Sequence, residues 1–170
     1  MVPNEQDDPR DPIAEARRQW VSHGWGDVAA GMAAVTSVMR AQQIMLARVH
    51  EVLKPFDLTF ARYELLALLS FTRKGALPMS RASSLLQVHP TSVTNAVDRL
   101  ESAGLVRRLP HPDDRRGVLV EITDAGRQKA HAATDDLNAK VFAEPGLEPA
   151  DVDTLIAVLT NLRSHAGDFD

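Results

Sequence analysis

Apolar residues recur at alternating three- and four-residue steps through Val28, Met32, Val35, Met39, Leu46, Val49 and Leu53. Only Gln42 is polar in the series, so one long amphipathic helix is predicted, capped by Asp27 and stopped by Pro55. A second row, Val38, Met45 and Val52, widens the stripe beyond what one small neighbour needs. Upstream, residues 13–22 predict a short helix that "HGWG" (23–26) separates from the long one. Residues 1–12 hold Pro3, Pro9 and Pro12 with little apolar surface and predict a disordered lead. "LTFARYELLALLSF" (58–71) is apolar almost all round, the pattern of a buried central helix.

The pattern then shortens. In "MSRASSLLQVHPTSVTNAVDRLESAGLVRR" (79–108), Ser80 is the expected cap of a short helix and "QVH" a turn. Pro90 opens a second helix that runs to about Ala103 and stops at Gly104. Helical spacing turns Val93, Ala96, Val97 and Leu100 inward and leaves Thr91, Ser92, Thr94, Asn95, Asp98 and Arg99 outside. "LVRRL" (105–109) and "GVLVEIT" (117–123) read as antiparallel strands joined by a polar hairpin that carries Arg115 and Arg116. Thr123 or Asp124 caps an Ala-rich helix to about Phe142. A last helix over 151–165 shows Val152, Leu155, Ile156, Leu159 and Leu162 on its apolar side.

The fold class predicted is mainly α, with a small β element (α+β). Helix, turn, helix, strand, charged hairpin and strand make a winged helix-turn-helix. The first turn of the second helix fits a major groove, and only a thin hairpin reaches the neighbouring minor groove, whose negative potential attracts Arg. The DNA-contacting set predicted is Ser80, Arg81, Pro90, Thr91, Ser92, Thr94, Asn95, Arg99, Arg115 and Arg116, with Asp114 stabilising the wing. The stripes on the 27–53 and 151–165 helices call for a twofold partner, so the division expected is lead 1–12, dimerisation helices 13–57, DNA-binding region 58–123 and dimerisation helices 124–170.

Charge refines this picture. The 170-residue chain is −4 overall, yet between Arg73 and Arg116 eight basic residues meet four acidic ones. That middle is therefore +4 and the rest −8, a basic segment between acidic ends.

"TSVTNAVDRLESAGLVRR" followed by "PDDRRGVLVEITDAG" resembles the recognition helix and wing of the MarR (multiple antibiotic resistance) regulators, over about Leu58 to Gly126. The resemblance implies a bacterial, homodimeric winged-helix repressor or, less often, activator, released from DNA by small aromatic anions. It also implies that Asp114 and Arg116 occupy the family's Asp-x-Arg wing signature. Asn95 stands where relatives often carry Arg, so operator preference does not transfer. An effector cleft is implied at the junction of the dimer helices and the winged domain; Trp20, Trp25, His50, Phe56, Arg62 and Tyr63 fall near it, Arg62 to pair with a carboxylate and the aromatics to sandwich a ring.

The function expected is transcriptional regulation through double-stranded DNA as a homodimer, with a small aromatic or anionic effector and no cofactor. With no cysteine, thiolate metal sites and disulfides are excluded, and the six histidines form no HExxH or i, i+4 pair, so no metal is expected. No phosphate-binding glycine loop or nucleophile elbow appears, so an enzyme is not expected. The acidic start lacks a signal-peptide core and no stretch matches a membrane span, so a cytoplasmic location without membrane partners is expected. A winged-helix protein-interaction module and a small-molecule binder without DNA function are the alternatives; steep salt dependence of binding separates DNA from an apolar protein partner.

Overall fold

The computed structural model of the chain describes residues 11–86, 89–112, 114 and 117–169. Arg115 and Arg116, the expected wing cations, lie outside the described residues, as do Asp113, Gln87 and Val88 of the predicted turns and residues 1–10 of the predicted lead.

Two compact units, Met1–Arg48 and Val49–Asp170, share the chain, with their boundary inside the long helix. The first holds α1 (Pro12–Ser22) and most of α2 (Gly26–Leu53). Pro12 is a helix opener here, since Asp11 accepts the Ile13 N–H at 2.9 Å and proline suits a position whose N–H has no helical partner. Asp27 falls in the first turn of α2 and is not its cap. Trp20 and Trp25 meet edge to face at 5.3 Å and His23 stacks on Trp25, which shapes the corner between the two helices. Along α2 much of the predicted stripe is exposed: Val28, Val35 and Met39 are all about 60% exposed, Met32 and Leu46 are half-buried, and only at Val49 and Leu53 does it become buried.

The second unit continues through α3 (Phe60–Phe71), β1 (Ala76–Pro78), α4 (Met79–Leu86), α5 (Pro90–Ser102), β2 (Val106–Pro110), β3 (Val118–Ile122), α6 (Asp124–Leu137) and α7 (Pro149–His165). The sheet has order β1-β3-β2, antiparallel throughout, with Arg108 opposite Val120 and Leu77 also opposite Val120 on the other side. β1 was not expected: three residues show no alternation, and the strand exists because β3 offers it an edge. Its presence starts α4 at Met79, so Ser80 lies in the first turn and does not cap it.

Leu65, Leu66 and Leu69 of α3, Val93, Val97 and Leu100 of α5, Val120 of β3, and Ala133 and Leu137 of α6 form one core, and among the described residues no buried side-chain polar atom lacks a partner. Tyr63 belongs to this core through a 3.0 Å hydrogen bond with Thr134 Oγ1. The all-round burial expected of α3 fails at Phe71, 80% exposed, because the helix ends there and the exposed turn of Arg73 and Lys74 follows. Thr123 is the cap of α6; its Oγ1 accepts from Gly126 N and donates to the Gly104 carbonyl. The α6 axis ends in a π-turn over Asn138–Phe142, where the Ala-rich pattern predicted plain α-helix. α7 buries none of its residues, and Ile156 and Leu162 are each 58% exposed. No helix among the described residues is long and apolar enough to cross a membrane.

Candidate nucleic-acid interface

The geometry of α5 follows its sequence position by position. His89 Nδ1 accepts the Thr91 N–H at 3.2 Å, Pro90 takes the first helical position, and Gly104, at φ 71°, allows the left-handed turn after Ala103. Val93, Ala96, Val97 and Leu100 are buried, while Pro90, Thr91, Ser92, Thr94, Asn95, Asp98 and Arg99 are exposed. Four small hydrogen-bonding side chains thus share the outer face of the first turns. The Thr94 hydroxyl donates to the Pro90 carbonyl, which leaves its lone pairs as acceptors. On α4, Ser80 and Arg81 are exposed, and Ser80 shares a recess with His111, Asp114 and Gly117 at the base of the hairpin.

Main-chain bonds close the hairpin: His111 N–H donates to the Gly117 carbonyl and Gly117 N–H to the Asp114 carbonyl, at 3.1 and 2.9 Å. Asp114 thus contributes its main-chain carbonyl to the hairpin. Arg107 of β2 pairs with Glu121 of β3 across the sheet.

Arg108 carries a connection not anticipated from the sequence. Its guanidinium contacts Glu101 and, at 2.5 Å, Asp98, while its backbone N–H donates to Glu101 Oε1 at 2.9 Å. Burial alone would lower its pKa, but the hydrogen bonds to the two carboxylates more than reverse this and hold the cation. One residue of the wing strand is thus pinned to two positions of α5. The signal was legible as Asp98 and Glu101 at i, i+3 on a helix face, but their cation is ten and seven residues away in sequence and only the sheet register delivers it.

The effector candidates belong to both units. Trp20 and Trp25 belong to the first unit's corner, His50 is exposed near the end of α2, and Tyr63 points into the core. Phe56 is half-buried against the core. Arg62 is half-buried; its Nε donates to Thr59 Oγ1 at 3.1 Å and its Nη1 to the Asp57 carbonyl at 3.4 Å. It lines a cleft of about 510 Å³ together with Arg99 and Lys129, the latter a residue sequence reasoning had not singled out.

Comparison with known proteins agrees with this architecture. The MarR family model matches residues 58–118. The chain is 36% identical over 77 residues to the multiple antibiotic resistance protein MarR of Escherichia coli, covering 45% of this chain and 52% of that protein. It is 36% identical over 77 residues to an uncharacterised HTH-type regulator, YhbI, of Bacillus subtilis, covering 45% and 49%. The chain thus spans about half the length of the curated relatives it matches. Among solved structures, Sco5413, a MarR family transcriptional regulator from Streptomyces coelicolor, is 51% identical with a TM-score of 0.75, covering 83% of this chain and 98% of that one. A cysteine-to-serine mutant of E. coli MarR in complex with operator DNA is 26% identical with a TM-score of 0.72, covering 79% and 96%. With its exposed α5 face, hairpin wing and near-complete match to Sco5413, the chain belongs to the MarR family of winged helix-turn-helix transcriptional regulators.

Proposed function

We propose that the protein is a repressor that binds a pseudo-palindromic operator as a homodimer, with the N-terminal turns of α5 in the major groove and Arg116 in the adjacent minor groove. The carrying observation is the division of α5 into a buried Val93, Ala96, Val97, Leu100 face and an exposed Thr91, Ser92, Thr94, Asn95 face. A helix that needed only solubility would place long charged side chains there; small hydroxyls and an amide suit contact with base edges and phosphates. The E. coli relative solved with operator DNA supports DNA as the partner. Ser80, Arg81 and Arg115 are assigned phosphate contacts, which steer and position without reading sequence.

Two apolar faces support dimerisation. Val28, Val35 and Met39 on α2, and Ile156 and Leu162 on α7, are more exposed than a monomer in water tolerates at no cost. A second copy with the same faces covers them, and twofold symmetry then spaces two α5 helices about one DNA turn apart. Release by a small aromatic anion, the effector class that the family resemblance implies, completes the reading.

Selection of bound sites from a random duplex pool is the test. The expected result is a palindrome with half-sites about one helical turn apart and affinity that falls steeply with salt. Arg116→Ala is expected to weaken operator binding by about 1 to 3 kcal/mol. No enriched site, or binding indifferent to salt, refutes the proposal.

A further inference from the structure

One residue satisfies the first-turn amides of α5. Pro90 has no N–H, the Thr91 N–H donates to His89 Nδ1 at 3.2 Å, and the Ser92 and Val93 N–H groups donate to the His89 carbonyl at 2.8 and 3.4 Å. His89 is exposed and adjoins the end of α5 that presents Thr91, Ser92, Thr94 and Asn95. It is absent from the DNA-contacting set predicted above, because in the sequence it reads as part of a turn.

The cap bond fixes the chemistry of the ring. Nδ1 accepts only with a free lone pair, so the capping imidazole is neutral and carries its proton on Nε2. Among the described residues Nε2 has no hydrogen-bond or ion-pair partner and remains an unused donor. Protonation places a hydrogen on Nδ1 as well. The bond to Thr91 must then break, and the Thr91 N–H and both ring N–H groups become available beside one positive charge.

The charged groups on the elements packed against α5 leave that cation without a partner. α4 carries Arg81, α3 carries Arg62 and Glu64, β2 carries Arg107 and Arg108, and α5 itself carries Asp98, Arg99 and Glu101 in its second half. Asp98 and Glu101 are paired with Arg108, and among the described residues no carboxylate forms an ion pair with His89. A phosphate approaching the ring therefore meets no competing anion there.

We propose that His89 is a further DNA-contacting residue whose protonation couples operator affinity to pH, a reading that rests on the placement of α5 in the major groove. A backbone phosphate of the operator accepts from the ring and from the released Thr91 N–H. In the free chain the imidazolium loses its cap bond without return, whereas beside a phosphate it gains a charge-assisted hydrogen bond. The complex thus binds the proton more tightly than the free chain. DNA binding takes up a proton, and affinity rises as pH falls through the histidine range of about 5 to 8.

Fluorescence anisotropy at constant ionic strength tests this with the full chain and a duplex recovered by the site selection above. The parent is expected to bind at least about threefold tighter at about pH 6 than at about pH 8. His89→Asn keeps a capping acceptor that does not titrate, and its affinity should be the same at both pH values within about 1.5-fold. His89→Ser, a second capping side chain, should behave alike and serves if the Asn variant melts lower than the parent. In the free chain, NMR should show the His89 ring and the Thr91 amide proton titrating with one midpoint. Parent affinity that is equal at the two pH values or weaker at the lower one, full pH dependence retained in both variants, or a Thr91 amide indifferent to the ring each overturns the proposal and leaves DNA binding standing. No duplex retained at either pH rejects the DNA reading and the proposal together.

Discussion

Gly126→Ala is a small change with a large expected effect. Gly126 lies in the first turn of α6, in ordinary helical backbone, where alanine would be favoured over glycine by about 1 kcal/mol if nothing stood nearby. Something does: a Cβ at this position would come within 2.0 Å of the Leu105 carbonyl oxygen and 2.9 Å of Ile122 Cγ1. The oxygen belongs to backbone, so the two chain segments must part by roughly 1 Å to restore a van der Waals contact. Leu105 O accepts the Thr123 N–H at 3.0 Å, and Thr123 Oγ1 both caps α6 and holds the Gly104 carbonyl, so the same shift strains the link between the end of α5 and the start of α6. Overpacking of this kind costs about 1 to 3 kcal/mol and a weakened hydrogen bond about 1 more. After the propensity gain is set against them, a net loss of about 1 to 3 kcal/mol is expected. Urea unfolding at fixed protein concentration reads it as a lower midpoint with an unchanged slope; the fixed concentration holds any contribution from subunit association equal in the two chains. A variant as stable as the parent, or more so, would show that this approach of helix to loop is not as close as described.

Arg108→Ala removes the tie between β2 and α5, and with its partners partly exposed the expected cost is about 1 kcal/mol in stability and about fivefold in operator affinity; a double-mutant cycle with Asp98→Ala should be non-additive, and additivity would deny the coupling. Tyr63→Phe should lose about 1 kcal/mol of unfolding free energy, since it leaves Thr134 without its cross-helix partner, and an unchanged midpoint would show that this bond contributes nothing net. Burial raises the Glu64 carboxyl above its ordinary value, so the folded chain binds that proton more tightly than the unfolded chain. Its stability penalty is absent below the usual carboxylate range and grows as pH rises from there to the raised value. Glu64→Gln should therefore be modestly more stable than the parent at pH 7 and lose that advantage near pH 4; an advantage independent of pH would refute the assignment.

Periodicity in the amino-acid sequence was enough to determine α2, α3, α5 and the paired strands, because their apolar residues recur at helical or strand spacing over enough positions to single out one element type. The inward set of α5, Val93, Ala96, Val97 and Leu100, was readable for the same reason: helical geometry alone assigns those positions to one side. Local signals were weaker where a partner decides. Three residues of β1 became a strand only because β3 stands beside them, and that put the start of α4 at Met79, ahead of Ser80, the expected cap. The Arg108 clamp and the Arg62, Arg99, Lys129 cleft gather side chains from separate elements, and no spacing rule spans 67 positions of chain. Long-range electrostatic groupings exist only once packing has set distances between elements, which is why the helices could be read from the chain while the cation cleft required the folded structure.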